Sequence, residues 1–212
     1  MCAGFVLAAG VPATGQTDCF DGTALVACAQ AVSPAMSYTK LGAAGNTLDA
    51  AAASWSCVRD NVTGLVWEVK TADGGLRDAS HRYSWLSNEA TRNGAQPGST
   101  GDTQSCSASL GGQPCNTANL VAAVNAAGYC GASDWRMPTQ AELLTLVHAG
   151  RLAPSIEPAI FINTPGAPYW SANTHAMYPL MAWGVHFGYG SSYAQGKHVA
   201  NAVRLVRGTW GP

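Results

Sequence analysis

Charge is scarce in this chain. Only 11% of its 212 residues are Asp, Glu, Lys or Arg, against about 25% in an ordinary soluble domain. The net charge of −1 excludes a strongly basic nucleic-acid binder and an acidic tail protein. No apolar run reaches the ~18 residues of a membrane helix, so no transmembrane segment is expected. Cys-x-x-Cys is missing, and no Cys/His cluster has zinc spacing, which argues against a structural zinc. Calcium needs several oxygen ligands, and no cluster of them supplies a site. Gly-x-Ser-x-Gly, the phosphate loop and the dinucleotide fingerprint are all absent, so no cofactor is expected. From Pro158 to Pro212 there is no Asp or Glu at all.

What is present is a polar but uncharged chain with enough apolar residues, 47%, for a core, so wholesale disorder is not expected. Seven cysteines point to an oxidising compartment. Residues 1–13 are short, apolar and rich in small residues, as in the cleavage region of a secretory signal that lacks its basic start. Removing them takes away Cys2 and leaves an even set of six. Six cysteines allow fifteen pairings, and spacing alone does not choose among them. The set expected here is Cys19–Cys28, Cys106–Cys115 and Cys57–Cys130. The last would close a long loop, where a cross-link helps most, by about 4 kcal/mol.

Residues 14–53 read as an arm, with Cys19 and Cys28 around a turn at Asp21-Gly22 and a linker over 41–53. A single domain over 54–209 follows. Asn61-Val-Thr-Gly64 is a turn, and Leu65–Lys70 is rich in strand formers. Residues 77–116 form a long polar loop, which Cys106 and Cys115 could staple. A first helix is capped by Asn116 or Thr117, with Leu120, Val121, Val124 and Ala127 on one face and Gly128 as its stop. A second starts after Pro138, where Thr139-Gln-Ala-Glu142 is a capping box. Its apolar face is Leu143, Leu144 and Val147. Strand signals return at Tyr169-Trp-Ser, Met181–Phe187 and Ala202–Arg207. A strand, two helices and then several strands make an α+β fold rather than alternating βαβ units.

Catalytic signals are weak. Disulfide use accounts for the cysteines better than a nucleophile paired with His148. Of the carboxylates Asp134, Glu142 and Glu157, Glu142 has a capping role, and Asp134 sits where an ion pair or turn bond is expected. Trp67, Trp135, Trp170 and Trp183 read as core aromatics, while Trp55, Trp85 and Trp210 are open. The acid-free end is the stretch that suits recognition. It mixes rigid aromatic area with adaptable hydrogen bonding, as binding loops do. Its candidate contacts are Asn173, His175, Tyr178, His186, Tyr189, Ser191, Ser192, Tyr193, Lys197, His198 and Asn201. Lys197, His186 and His198 would meet anionic groups. Arg204 and Arg207 alternate with apolar neighbours, so at least one is expected to be structural.

Three stretches carry a resemblance. They are Trp55–Lys70, Ala122–Thr139 with Glu142-Leu-Leu, and Tyr169-Trp-Ser-Ala followed by Ala182–Phe187 and Ala202–Gly208. In this order they resemble the Lcl C-terminal domain family, the ligand-binding end of a bacterial collagen-like adhesin. Thr14–Asp21 is similar to the family's lead-in. The resemblance implies a secreted or cell-surface bacterial protein of C-type lectin-like fold, with two helices packed on a small mixed or antiparallel sheet and long stapled loops. The family's Asp-Trp-Arg-Leu-Pro scaffold motif reads Asp134-Trp135-Arg136-Met137-Pro138 here. The partner implied is a glycan, sulfated in the adhesin's case, or a cell-surface protein. Related proteins are variable receptors of diversity-generating retroelements, whose variable positions match 173–201. The collagen repeats and the calcium-lectin motifs are absent, since Glu157-Pro158 continues into Ala159. Two other readings stay open: a pilus or surface-fibre component, and an enzyme on a formylglycine-generating-enzyme-like fold. The second needs late cysteines, and none lies beyond Cys130.

Overall fold

The computed structural model describes residues 10–12, 14–15, 18–20, 23–27 and 35–210. Strands β1 (Asp18–Phe20) and β2 (Leu25–Ala27) pair as an antiparallel hairpin. The expected Cys19–Cys28 bond falls outside the described residues. Four strands then make one antiparallel sheet in the order β3 (Tyr38–Leu41), β4 (Cys57–Asp60), β5 (Val66–Glu68), β9 (Val206–Arg207). A second antiparallel sheet has the order β6 (Pro168–Thr174), β7 (Met181–His186), β8 (Ser191–Gly196). The α+β architecture is thus observed, with antiparallel sheets and few helices.

Local chemistry explains the element boundaries. The β4–β5 turn forms because Asp60 Oδ1 accepts the amides of Val62 and Thr63, while Gly64 takes a φ of 77°. Helix α1 (Thr117–Ala126) starts where Asn116 Oδ1 accepts the Asn119 amide, and it ends before Gly128 at φ 61°. Leu120 and Val124 of its predicted face are buried, but Ala127 is exposed. Helix α2 (Gln140–Leu144) opens on the expected capping box, with Thr139 Oγ1 and the Glu142 carboxylate exchanging amides. It is shorter than the sequence pattern implied. Leu146 supplies the buried contact instead of Leu144, because the chain turns away and His148 N bonds to Ser155 O. Helix α2 packs on β6 and β7.

Of the expected linker over 41–53, Leu41 belongs to the main sheet: Tyr38–Leu41 pairs residue for residue with Cys57–Asp60. Lys40 Nζ binds the carbonyls of Ala50 and Ala52. Two of the expected disulfides are formed, Cys57–Cys130 and Cys106–Cys115. The first ties β4 to the turn after α1, and the second staples the long loop. Much of that loop is exposed, but its tryptophan is not: Trp85 is 1% exposed and donates Nε1–H to Ser171 O at 2.8 Å.

Residues 201–206 join these parts. All six are buried. Asn201 exchanges backbone bonds with Tyr83, Ala202 bonds to Pro168 and Trp170 of β6, and Val206 exchanges bonds with Arg136. Between them, Arg204 is fully buried. Its guanidinium donates to Glu68 O and, at 2.6 Å, to Thr164 Oγ1, and it lies over the Phe161 ring. The Glu68 carboxylate, also fully buried, accepts Lys70 Nζ at 2.9 Å and the Leu205 amide at 2.8 Å. Arg204 is therefore the structural arginine. A buried carboxylate paired with a buried cation and a buried amide cannot be removed cheaply. Glu68→Ala should lower unfolding free energy by about 3–5 kcal/mol in denaturant titration, and a loss below about 1 kcal/mol would contradict the role assigned to this group.

Candidate functional site

Side chains alternate between the two faces of a strand, and this splits the candidate residues. On one face of the second sheet, Trp170, Gly184 and Tyr193 line up across β6, β7 and β8. Tyr193 lies flat over Gly184, where a Cβ would fall 2.6 Å from the ring. It stacks on Trp170 at 6.2 Å. Next to it, His186 meets Tyr193 edge-on at 6.4 Å and stacks on Tyr189 at 4.5 Å. Tyr189 is 73% exposed, and Ser191 stands opposite His186. These residues form a ring ledge running from the buried Trp170 out to solvent.

The other face carries a second, similar unit. His175 stacks on Trp183 at 4.8 Å and meets Tyr178 at a tilt, 5.2 Å away. In both units the histidine Nδ1 accepts a backbone amide two or three residues on. His175 Nδ1 accepts the Tyr178 amide at 3.1 Å, and His186 Nδ1 accepts the Gly188 amide at 3.0 Å. A neutral imidazole so held carries its proton on Nε2, as a donor. The sequence signal is a repeated His-x-x-Tyr, at 175–178 and 186–189. Trp183 is also corrected: it is only partly buried and belongs to this ring unit rather than to the core.

Several candidates are committed elsewhere. Lys197 is corrected as an anion contact. It is 3% exposed, its ammonium is held by the carbonyls of Asn93 and Gln96 at 3.0 and 2.6 Å, and it lies 4.0 Å from the Trp85 ring. Burial pushes its pKa down to about 8. Asn201 is 5% exposed and donates to Tyr193 Oη and Gln195 Oε1. Asn173 Oδ1 accepts the Gln140 amide at the start of α2. Ser192 is exposed but points to the face opposite Ser191 and Tyr193. His198 packs against Gly196 and lines a hollow of about 270 Å³ with Leu180 and Met181. Arg207 pairs with Asp134 at 2.7 Å. The ledge is thus uncharged rather than cationic.

Trp135 is buried, and Arg136 meets the Glu142 carboxylate with two bonds of 2.6 and 2.8 Å. Burial alone would raise the Glu142 pKa; the Arg136 guanidinium and the Thr139 amide outweigh it and hold the group below the usual carboxylate range. A separate cleft of about 320 Å³ lies between Trp85–Arg92 and α1, floored by Leu86, Val121 and Met137. None of the candidate residues lines it. Among the described residues, no group of three or more His, Cys, Asp or Glu could hold a metal ion, and no helix is long and apolar enough to cross a membrane.

The α+β scaffold thus presents two ring units on opposite faces of its second sheet. The Lcl C-terminal domain model matches residues 56–207, and the chain belongs to that family. It is a family of binding domains, not a known enzyme family. No curated protein and no solved structure matches the chain.

Burial raises the pKa of Tyr193, and it does the same for Tyr38, Tyr83, Tyr129 and Tyr169. The unfolded chain ionises its tyrosines near pH ~10. Stability from these five is therefore present below that pH and is lost as pH rises through and above it. Absorbance at 295 nm should show these five ionising only together with unfolding. Their titration in a still-folded chain would contradict the burial described.

Proposed function

We propose that this is a secreted or cell-surface bacterial domain that binds a ligand, without transforming it, on the Tyr189–His186–Tyr193 ledge. The observation that carries the reading is the ring run itself. Buried Trp170 and Gly184 fix Tyr193, and His186 fixes Tyr189, so the platform is preorganised before a ligand arrives. Preorganisation lowers the entropic cost of binding. Ser191 and the Nε2–H of His186 supply hydrogen bonds beside the rings. Tyr193 remains a neutral hydroxyl.

Family membership supports a C-type lectin-like reading of the fold and a glycan or cell-surface protein as partner. The ledge favours a ligand with an uncharged face, since its one buried lysine is turned inward. A sulfated glycan would have to rely on histidines rather than on Lys197. The stretch 173–201, where a diversity-generating receptor would vary, contains both ring units. Two disulfides suit an extracellular or periplasmic location. A second reading, a component of a surface assembly, is favoured by Met177, Tyr178 and Leu180, which are 74%, 57% and 69% exposed at one hairpin tip.

The purified chain should first be screened on glycan and protein arrays. For the ligand found, Tyr189→Ala should weaken binding about tenfold, the worth of one aromatic stack, with the melting temperature unchanged. Unchanged affinity for Tyr189→Ala and for Tyr193→Ala would remove the ledge from the function.

A further inference from the structure

Strand β8 is the edge of its sheet. The β7–β8 ladder continues through Lys197 N bonded to Leu180 O. Bonded pairs in an antiparallel ladder recur at every second residue. Residues 191, 193 and 195 therefore face β7, and the backbone groups of Ser192 and Ala194 face outward. Among the described residues, no other segment bonds to the backbone of 191–195. Native edges are guarded by charged side chains, prolines or bulges. Ser191-Ser-Tyr-Ala-Gln-Gly196 has no charged residue and no proline, and its register with β7 is unbroken.

We infer that β8 pairs antiparallel with β8 of a second copy, joining two three-stranded sheets into one of six strands across a two-fold axis at Ala194. Three observations select a second copy. An outward row of alternating amides and carbonyls is satisfied by another extended backbone. The open stretch is symmetric about Ala194, since Ser192 falls opposite Gly196 of the other copy, whose amide also points outward. Self-pairing an uncharged strand sets no like charges against each other. The ends also match. Exposed Tyr189 lies at the start of β8, and exposed Met177 and Leu180 lie at the hairpin tip beside its end. Antiparallel pairing brings the apolar tip of each copy to the corner that holds Tyr189 of the other. Each ring ledge then continues onto its neighbour, so the dimer presents two ledges on one surface. Closed two-fold pairing of this kind is the commonest oligomer geometry.

The test is the mass in solution of the full chain, by light scattering on a sizing column, from about 1 μM to about 1 mM. The 21.8 kDa chain should double its mass within that range. Ala194→Lys and Ala194→Glu each place like charges across the axis, and each should weaken dimerisation at least tenfold. Mixing the two should restore a heterodimer. Ser192→Pro, at an exposed position, removes an outward amide while sparing the β7 ladder, and should also give monomer with an unchanged melting temperature. A wild-type monomer across the whole range would overturn the inference, and so would a dimer that Ser192→Pro and Ala194→Lys leave intact.

Discussion

The structure depends on one short segment, residues 201–206, held in the interior by a buried arginine. Arg204 carries a full charge where water does not reach. It is tolerated because Glu68 O and Thr164 Oγ1 accept its protons and the Glu68 carboxylate lies in the same cluster, bonded to the neighbouring Leu205 amide. The same six residues touch the long loop at Tyr83, the second sheet at Pro168 and Trp170, and the entrance to α2 at Arg136. Two sheets and a forty-residue loop, residues 77–116, are fixed relative to each other through them. A hydrophobic strand could fill this space. A charged one also specifies register, because a slip of one residue would turn Arg204 away from its partners.

The proposed function rests on what this anchoring leaves free. Asn201, at the start of the segment, donates to Tyr193 Oη, and Trp170, which bonds to Ala202, lies beneath the same ring. The ledge is thus the outer end of the interior scaffold rather than a mobile loop. Its chemistry is aromatic and hydrogen-bonding. Two of the cations that the sequence places nearby are spent inside, Arg204 on Glu68 and Thr164 and Lys197 on two carbonyls and the Trp85 ring, and Arg207 is paired with Asp134 at the surface. Acid depletion in this stretch does not create a positive surface. It leaves an uncharged one.

Features set by neighbours in sequence were legible. The Asn116 cap, the Thr139–Glu142 box, the Asn61–Gly64 turn and the Cys106–Cys115 staple all depend on residues within ten positions. Cys57–Cys130 could be read because long-loop closure favours it. What distant contacts decide was not legible. Trp85 sits in a polar stretch, and its burial rests on distant partners such as Ser171, across 86 positions, and Lys197. Strand β8 is Ser- and Gly-rich and reads as a loop, yet β7 pairs along its whole length. Lys197 looks like a surface lysine because nothing near it in sequence reveals the carbonyls of Asn93 and Gln96. The candidate stretch 173–201 falls on the second sheet and its turns. Its division between two faces was hidden, since parity matters only once the strands are known.

Amide hydrogen exchange across residues 201–206 tests the central claim most directly. If this segment holds the sheets together, the amides of Ala202, Leu205 and Val206, with those of Trp170 and Arg136 that bond to it, should exchange only through global unfolding and be the slowest in the chain. Exchange of these amides while β4, β5 and β7 stay protected would show that the platform stands without them, and would contradict the account.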